Sequence, residues 1–232
     1  MNVNFFWVGN NFTYLNRLCI LSHIAVGHNC IMWLSGAKPT SEYWVSDLNI
    51  KINNADDVVD VSSFLLNGGN MKTASDLWSF TFLYRFGGLY CDTDAVAISH
   101  FPDDEWILCS CDPNSTHGKE KLSIGVIAAP PQQRVFLNCI DNIKHDWGNV
   151  TVFGDEYEKI YGNSNSTHDD KLFYPFPYYE WKTLLTGAGI PHVYSVHLYH
   201  SMFERNNMVL GRGEYDTNSM LGKIIEKFDS NL

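Results

Sequence analysis

A chain of 232 residues with 45% hydrophobic and 14% aromatic content is long and apolar enough for one packed α/β domain, and is not a disordered tail. Its formal net charge of −10 argues against nucleic-acid binding, which rests on Lys and Arg neutralising phosphates. No stretch has the apolar length of a membrane span, and Met1-Asn2-Val3-Asn4 lacks the basic region of a secretion signal, so the expected location is the cytoplasm, with no integral membrane segment.

In chain order, Val3 to Val8 is apolar and extended. Tyr14 to Ala25 carries helix-spaced apolar residues closed by Gly27, and Cys30 to Leu34 is a second apolar run. Strand Leu48 to Ile52 and helix Val61 to Leu66 continue the alternation, with Gly68-Gly69 as a break. Such alternation predicts a parallel, doubly wound sheet. Thr73-Ala-Ser-Asp76 has a capping-box pattern, which places a helix start there with Asp76 at its third position. That amphipathic helix ends in Gly87-Gly88.

After it, Asp92 and Asp94 stand one residue apart on an extended segment, where side chains at i and i+2 share a face. Ala95 to Ile98, Trp106 to Cys111 and Leu122 to Ala128 read as strands of the sheet core. Pro130-Pro131 opens a helix over Gln132 to Lys144. Trp147 to Lys171 is rich in Asn, Ser, Gly and Asp and reads as loop or short helix; Ser219 to Phe228 reads as a short amphipathic helix. The six cysteines, at positions 19, 30, 91, 109, 111 and 139, lack paired metal-ligand spacing, so buried reduced thiols are expected. Sequons at Asn11, Asn114, Asn149 and Asn165 matter only in a secretory lumen.

Two hard oxygen ligands on one face suit Mg²⁺ or Mn²⁺; the structural alternative for Asp92 and Asp94 is a polar strand end or a turn, against which the preceding Gly-Gly and Tyr90 weigh. Trp7 is either core or, at the carboxyl end of the first strand, a flat ring against a ligand base. Asp76 fits a helix cap as well as a ligand contact. His197 is either a satisfied core histidine or a metal ligand. Arg205 and Arg212 are solvated surface or a phosphate clamp. The run Leu172 to Trp181 supplies core, an acceptor wall or a partner surface.

Ser75-Asp76, Tyr84, Gly87-Gly88, Leu89-Tyr90 and Asp92-Thr93-Asp94, in that order, resemble the sugar-binding, DXD-containing region of glycosyltransferases with the nucleotide-diphospho-sugar transferase (GT-A) fold. The group includes capsular-polysaccharide sugar transferases, yeast initiating mannosyltransferases and clostridial glucosylating toxins. Asn4 to Gly9 is similar to the family's opening strand, and His197 to Phe203 to its closing segment.

The resemblance implies a Rossmann-like, mostly parallel central sheet flanked by helices, in a single domain over 1–232. Residues 1–100 would be the nucleotide-sugar-binding half and 101–232 the acceptor-binding and closing half. It further implies metal-dependent, retaining transfer of a hexose from a nucleotide-diphosphate sugar, usually UDP-linked, to a glycan, lipid-linked or protein hydroxyl. Asp94 would hold Mn²⁺ or Mg²⁺ directly, Asp92 would reach the metal or the donor ribose and sugar, and Asp76 the sugar hydroxyls. Trp7 would stack on the base, beside Val8 and Gly9. Arg85, Gly88 and Tyr90 belong to the donor-binding segment, and His197, in preference to His200, would be the late metal ligand.

The family's Arg three residues after this Asp is Ser79 here, which leaves the sugar identity open. Two carboxylates about 4 Å from a diphosphate repel it by about 4 kcal/mol per charge pair at an effective dielectric near 20, so an anionic donor requires a bridging cation. Two rival readings are a haloacid-dehalogenase-like phosphatase, whose Asp-any-Asp loop normally follows the first strand, and a non-catalytic sugar-nucleotide or glycan-binding module.

Overall fold

β1 (Asn2–Val8) lies in the middle of a five-stranded sheet and alternates its side chains between two cores. Val3 and Phe5 enter one core and Phe6 the other. The computed structural model describes residues 1–110, 122–143, 152–162, 166–186, 189–208, 211, 213 and 215–229. Along the chain, β1 is followed by α1 (Tyr14–Ala25), β2 (Asn29–Ser35), β3 (Lys51–Asn54), α2 (Val61–Leu66), α3 (Met71–Phe86) and β4 (Gly88–Cys91). The sheet order is β3-β2-β1-β4-β6, parallel throughout except for β6 (Val126–Ala129), which runs antiparallel to β4. The expected mostly parallel α/β sheet is therefore present.

α1 and α7 (Met220–Asp229) cover one face. α3, α4 (Arg134–Asn142) and α5 (Val152–Tyr161) cover the other, where Trp78 stacks between Phe6 and Phe82 at 5.2 and 5.0 Å.

Several expected elements shift. α3 begins at Met71, capped by Asn70, whose side chain accepts the Thr73 N–H at 2.8 Å. Asn is as good a cap as Ser, and it sits one turn before the sequence pattern that suggested Thr73. Asp76 is consequently inside the helix and is not a capping residue. The third strand covers Lys51–Asn54, because Val45–Asp47 forms a 3-10 turn ahead of it. α4 starts two residues late, at Arg134, since Gln132 adopts a left-handed φ of 62°. Trp106 to Ser110 contributes only isolated bridges, Ile107 to Ala128 and Ser110 to Leu122. The expected strand from Leu122 is β6 alone. Cys111, Lys144 and the sequons at 114, 149 and 165 lie outside the described residues, while the other five cysteines are buried and unpaired.

The largest departure concerns β5 (Ala95–Ala97), which is not part of the central sheet. It pairs antiparallel with β7 (Ser195–His197) in a separate two-stranded sheet, with Ala95 opposite His197. The chain therefore leaves one sheet at Cys91 and enters another at Ala95. The residues between form a turn closed by Ala95 N–H to the Asp92 carbonyl at 3.2 Å, and are not the continuous strand the i, i+2 pattern suggested.

Gly87 and Gly88 terminate α3 with φ of 64° and 88°. A Cβ on Gly87 would fall 2.6 Å from the Pro131 nitrogen and 2.8 Å from the Ala129 carbonyl oxygen, whereas one on Gly88 would meet nothing within 4 Å. Gly87→Ala should therefore cost on the order of 2–3 kcal/mol, with a melting temperature lower by several degrees, and Gly88→Ala about 1 kcal/mol. Thermal melts of the two variants check the order; equal losses would mean that only the backbone conformation matters.

Candidate functional site

The turn from Asp92 to Ala95 sits at the carboxyl edge of β4, beside Val8 and Gly9 at the carboxyl edge of β1, in the place where open α/β sheets bind ligands. A cleft of about 430 Å³ opens there. Trp7, Val8, Gly9, Tyr90, Asp92, Asp94 and His200 all line it. Trp7 is half-buried, edge-on to Phe12 at 4.9 Å, with its indole N–H donated to the Gly9 carbonyl at 3.0 Å.

β7 brings the third member of the cluster. Asp92, Asp94 and His197 each offer one ligand atom, and the three atoms lie within 4.8 Å of one another. His197 Nε2 is 3.3 Å from Asp94 Oδ1 and 3.6 Å from Asp92 Oδ2. The Tyr199 backbone N–H donates to His197 Nδ1 at 3.3 Å, so in the metal-free chain the neutral ring carries its proton on Nε2, directed at the carboxylates; ligation of a cation by Nε2 would move that proton to Nδ1 and replace the Tyr199 contact. Burial works to lower the His197 pKa, but Asp94 and Asp92 outweigh it and hold the group above its ordinary value.

The carboxylates are themselves fixed. Tyr90 O–H donates to Asp92 Oδ1 at 2.8 Å, with Ser75 Oγ 3.2 Å from the same phenol. Burial and the neighbouring Asp92 raise the Tyr90 pKa well above normal, which keeps it a donor. The backbone N–H of His200, the first residue of α6 (His200–Arg205), donates to Asp94 Oδ2 at 2.9 Å. His200 Nε2 lies 3.4 Å from Thr13 Oγ1.

From behind, an inward ridge of α1 grips the turn. Asn16 Nδ2 donates to the carbonyl and hydroxyl of Thr93, both at 3.2 Å. Cys19 Sγ and His23 Nε2 reach the Ala95 carbonyl at 3.1 and 3.0 Å. Spaced three and four residues apart, these side chains share one helix face. His23 is buried and pushed down to about 4, so the ring is neutral near pH 7.

The residues present fit a divalent cation. Two carboxylate oxygens and one imidazole nitrogen form a donor set suited to Mn²⁺ or Mg²⁺. Gly125 adds a second reason: its carbonyl accepts the Asp92 N–H at 2.7 Å, and a Cβ there would lie 3.0 Å from each of Asp92 Oδ2, His197 Nε2 and Tyr174 Oη. The absent side chain leaves the cradle open.

Asp76 stands next to this group without lining the cleft, and no hydrogen bond to its carboxyl is present among the described residues. Burial, then the charge on Asp92, push its pKa up to about 7. Arg85 and Gly88 are not brought to the cleft. Gly88 starts β4 at its opposite end, about 10 Å away by strand rise, and Arg85 donates to the Asp57 and Val58 carbonyls at 3.0 and 2.5 Å. Arg205 is exposed at the end of α6, and Arg212 lies outside the described residues. Of the aromatic run, Phe173, Tyr174, Phe176 and Trp181 are core, while Tyr178 and Tyr179 are exposed.

Sequence reasoning missed Asn16, Cys19, His23, Gly125, Tyr174 and Lys72, which also lines the cleft. Only Asn16 carried a local signal, as the partner of Thr13 in the capping box of α1.

Residues 19–111 match the family model described as "Glycosyltransferase sugar-binding region containing DXD motif", with Asp92-Thr93-Asp94 inside the matched segment. Among solved structures, the PaToxG glycosyltransferase superposes with a TM-score of 0.52 at 15% identity, covering 68% of this chain and 68% of that one. The apo-form glycosyltransferase GlyE of Streptococcus pneumoniae TIGR4 gives 0.49 at 11% identity, over 99% of this chain and 63% of that one. The galactosyltransferase LgtC gives 0.36 at 13%, over 85% and 86%. The family match covers about two fifths of the chain, residues 19–111, and the fold is GT-A. No helix among the described residues is long and apolar enough to cross a membrane.

Two outcomes test the geometry. In Gly125→Ala the new methyl occupies the cradle, so Mn²⁺ affinity measured calorimetrically should fall at least about tenfold while circular dichroism stays unchanged; unaltered affinity would remove Gly125 from the site. For Asp76, the folded value of about 7 exceeds the ordinary 3.8, so between those values the metal-free folded chain holds a proton that the unfolded chain has lost. This group's contribution to stability therefore declines as pH rises through that window. Asp76→Asn should raise the melting temperature by a few degrees at pH 8 and leave it unchanged below pH 4; parallel pH profiles for both proteins would contradict the assignment.

Proposed function

We propose that this chain transfers a hexose from a nucleotide-diphosphate sugar, with UDP as the carrier, to the hydroxyl of a glycan, lipid-linked or protein acceptor, with retention of anomeric configuration. The observation that carries the reading is the convergence at the edge of the cleft of Asp92 and Asp94, from the matched segment, with His197, from beyond it. Asp92, Asp94 and His197 would hold Mn²⁺ or Mg²⁺. When bound, the cation supplies electrophilic stabilisation of the departing diphosphate.

The remaining work belongs to the chain's own groups. Trp7 presents a half-exposed ring at the end of β1 on which a base can stack. Tyr90 orients Asp92 by donating to one carboxylate oxygen. Asp76, which does not line the cleft in the metal-free chain, is neutral there below about pH 7 and would reach sugar hydroxyls only in the donor-bound state. α6, seated on Asp94, brings the closing segment over the cleft and limits the water that would otherwise hydrolyse the donor.

No protein nucleophile is needed if the acceptor attacks from the face the diphosphate leaves, because positioning and leaving-group stabilisation then carry the barrier reduction. We place donor binding in residues 1–100 and acceptor binding and closure in 101–232, within one domain. The five unpaired, buried thiols support a reducing compartment as the place of reaction. The phosphatase alternative expects its acidic loop after the first strand, whereas here it follows the fourth.

The test is donor turnover and binding over a panel of UDP- and GDP-sugars with Mn²⁺ or Mg²⁺. Asp94→Asn should abolish metal-dependent binding, and His197→Ala should raise the Mn²⁺ concentration for half-maximal activity at least about tenfold. Because protons compete for a raised His197, the Mn²⁺ requirement should grow as pH falls, and this pH dependence should flatten in His197→Ala. Full donor turnover without metal, or in Asp94→Asn, would overturn the proposal.

A further inference from the structure

The cleft is short of positive charge. Asp92, Asp94 and Glu204 line it, and among its described lining residues Lys72 is the single Lys or Arg. A divalent cation's two charges are matched by the two carboxylates that hold it. A diphosphate arriving with its own negative charges must meet a further cation, and in a chain of net charge −10 the surrounding field does not provide one.

The arginine that the family resemblance expects on α3 is replaced by Ser79, which is fully buried and donates its hydroxyl to the Asp76 carbonyl at 3.1 Å. Position 79 therefore presents nothing to the cleft. The cleft-facing part of α3 is its beginning, where Met71, Lys72 and Ser75 line the opening. Lys72 is the second residue of the helix, and no acidic residue accompanies it in the first turn.

A cation at the positive end of a helix dipole is locally unfavourable, and such violations of local preference are expected where a ligand compensates them. Lys72 is exposed and makes no salt bridge among the described residues; it stands one helical turn before Asp76 on the same face, where its charge only partly offsets the burial and the Asp92 charge that raise the Asp76 pKa.

From this placement we infer that Lys72, at the start of α3, is the diphosphate-binding cation of the donor site. The ammonium group would share that anion with the backbone N–H groups of Met71 and Lys72, since Asn70 already takes the Thr73 N–H. The inference rests on the nucleotide-sugar reading above.

The experiment compares uridine, UMP and UDP binding in the presence of Mn²⁺ for the full chain, Lys72→Met and Lys72→Arg. The Met variant should bind UDP about ten- to a hundredfold more weakly, the range for losing a charge-assisted hydrogen bond, with uridine affinity unchanged. The Arg variant should recover most of the loss. Melting temperature should stay level or rise in Lys72→Met, since the helix start loses an unfavourable charge, and this separates a binding role from a structural one. An unchanged UDP affinity in Lys72→Met, or an equal loss for uridine and UDP, would overturn the inference while leaving the transferase reading intact. Failure of the unmodified chain to bind any nucleoside diphosphate would overturn both.

Discussion

The turn between Asp92 and Ala95 is the constraint on which the rest of the site depends. It carries the chain out of the central sheet and into the small β5–β7 pair, and that transfer makes two carboxylates and an imidazole from residues more than a hundred positions apart converge. A continuous strand would have placed Asp92 and Asp94 on one face, but Ala95 could not then have left the central sheet to pair opposite His197. The turn is held by contacts of modest individual strength: Asn16, Cys19 and His23 on its carbonyls and hydroxyl, Gly125 on the Asp92 N–H, and Leu198 N–H on the Asp94 carbonyl at 2.7 Å. Each is worth about 1 kcal/mol net, yet together they define one geometry for two like charges that would otherwise move apart.

His23 shows how far that support extends. With Nε2–H donated to Ala95, its Nδ1 accepts from His28 Nδ1 at 2.9 Å, and His28 Nε2 accepts from the Phe101 N–H at 3.1 Å. Burial lowers both rings, to about 4 and about 3, so the chain of contacts is neutral and each ring nitrogen is satisfied. The polar interior behind the acidic turn thus adds no net charge to a region already crowded with carboxylates.

Much of the architecture could be read from residue patterns. α1 and α2 follow the expected boundaries because Thr13 and Asp60 cap them and their apolar periodicity is clear. The expectation for Asp92, Asp94 and Tyr90 comes from an ordered motif within a short stretch, and that for Trp7 from the separate opening strand; all four line the cleft. What could not be read depends on distant neighbours. Gly125 has no local signature, since its value lies in the methyl it omits beside three side chains from elsewhere in the chain. Gly88 lies at the far end of β4 and Arg85 in the last turn of α3, because closeness in sequence to Asp92 does not carry a residue to the carboxyl edge of the sheet. The start of α3 was misplaced because Asn70 and Thr73 are both credible caps, and packing decided between them.

The two helices that serve the cleft lie on opposite faces of the sheet, α1 in one core and α3 in the other. Support for the acidic turn comes from α1, while the first turn of α3 meets the open cleft. Such a division lets the two surfaces drift separately: exchanges along the exposed start of α3 can retune which carrier or sugar is preferred, without disturbing the hidden helix that keeps the carboxylates together. A scaffold partitioned in this way is suited to diversification, because novelty on one side does not have to pass through loss on the other.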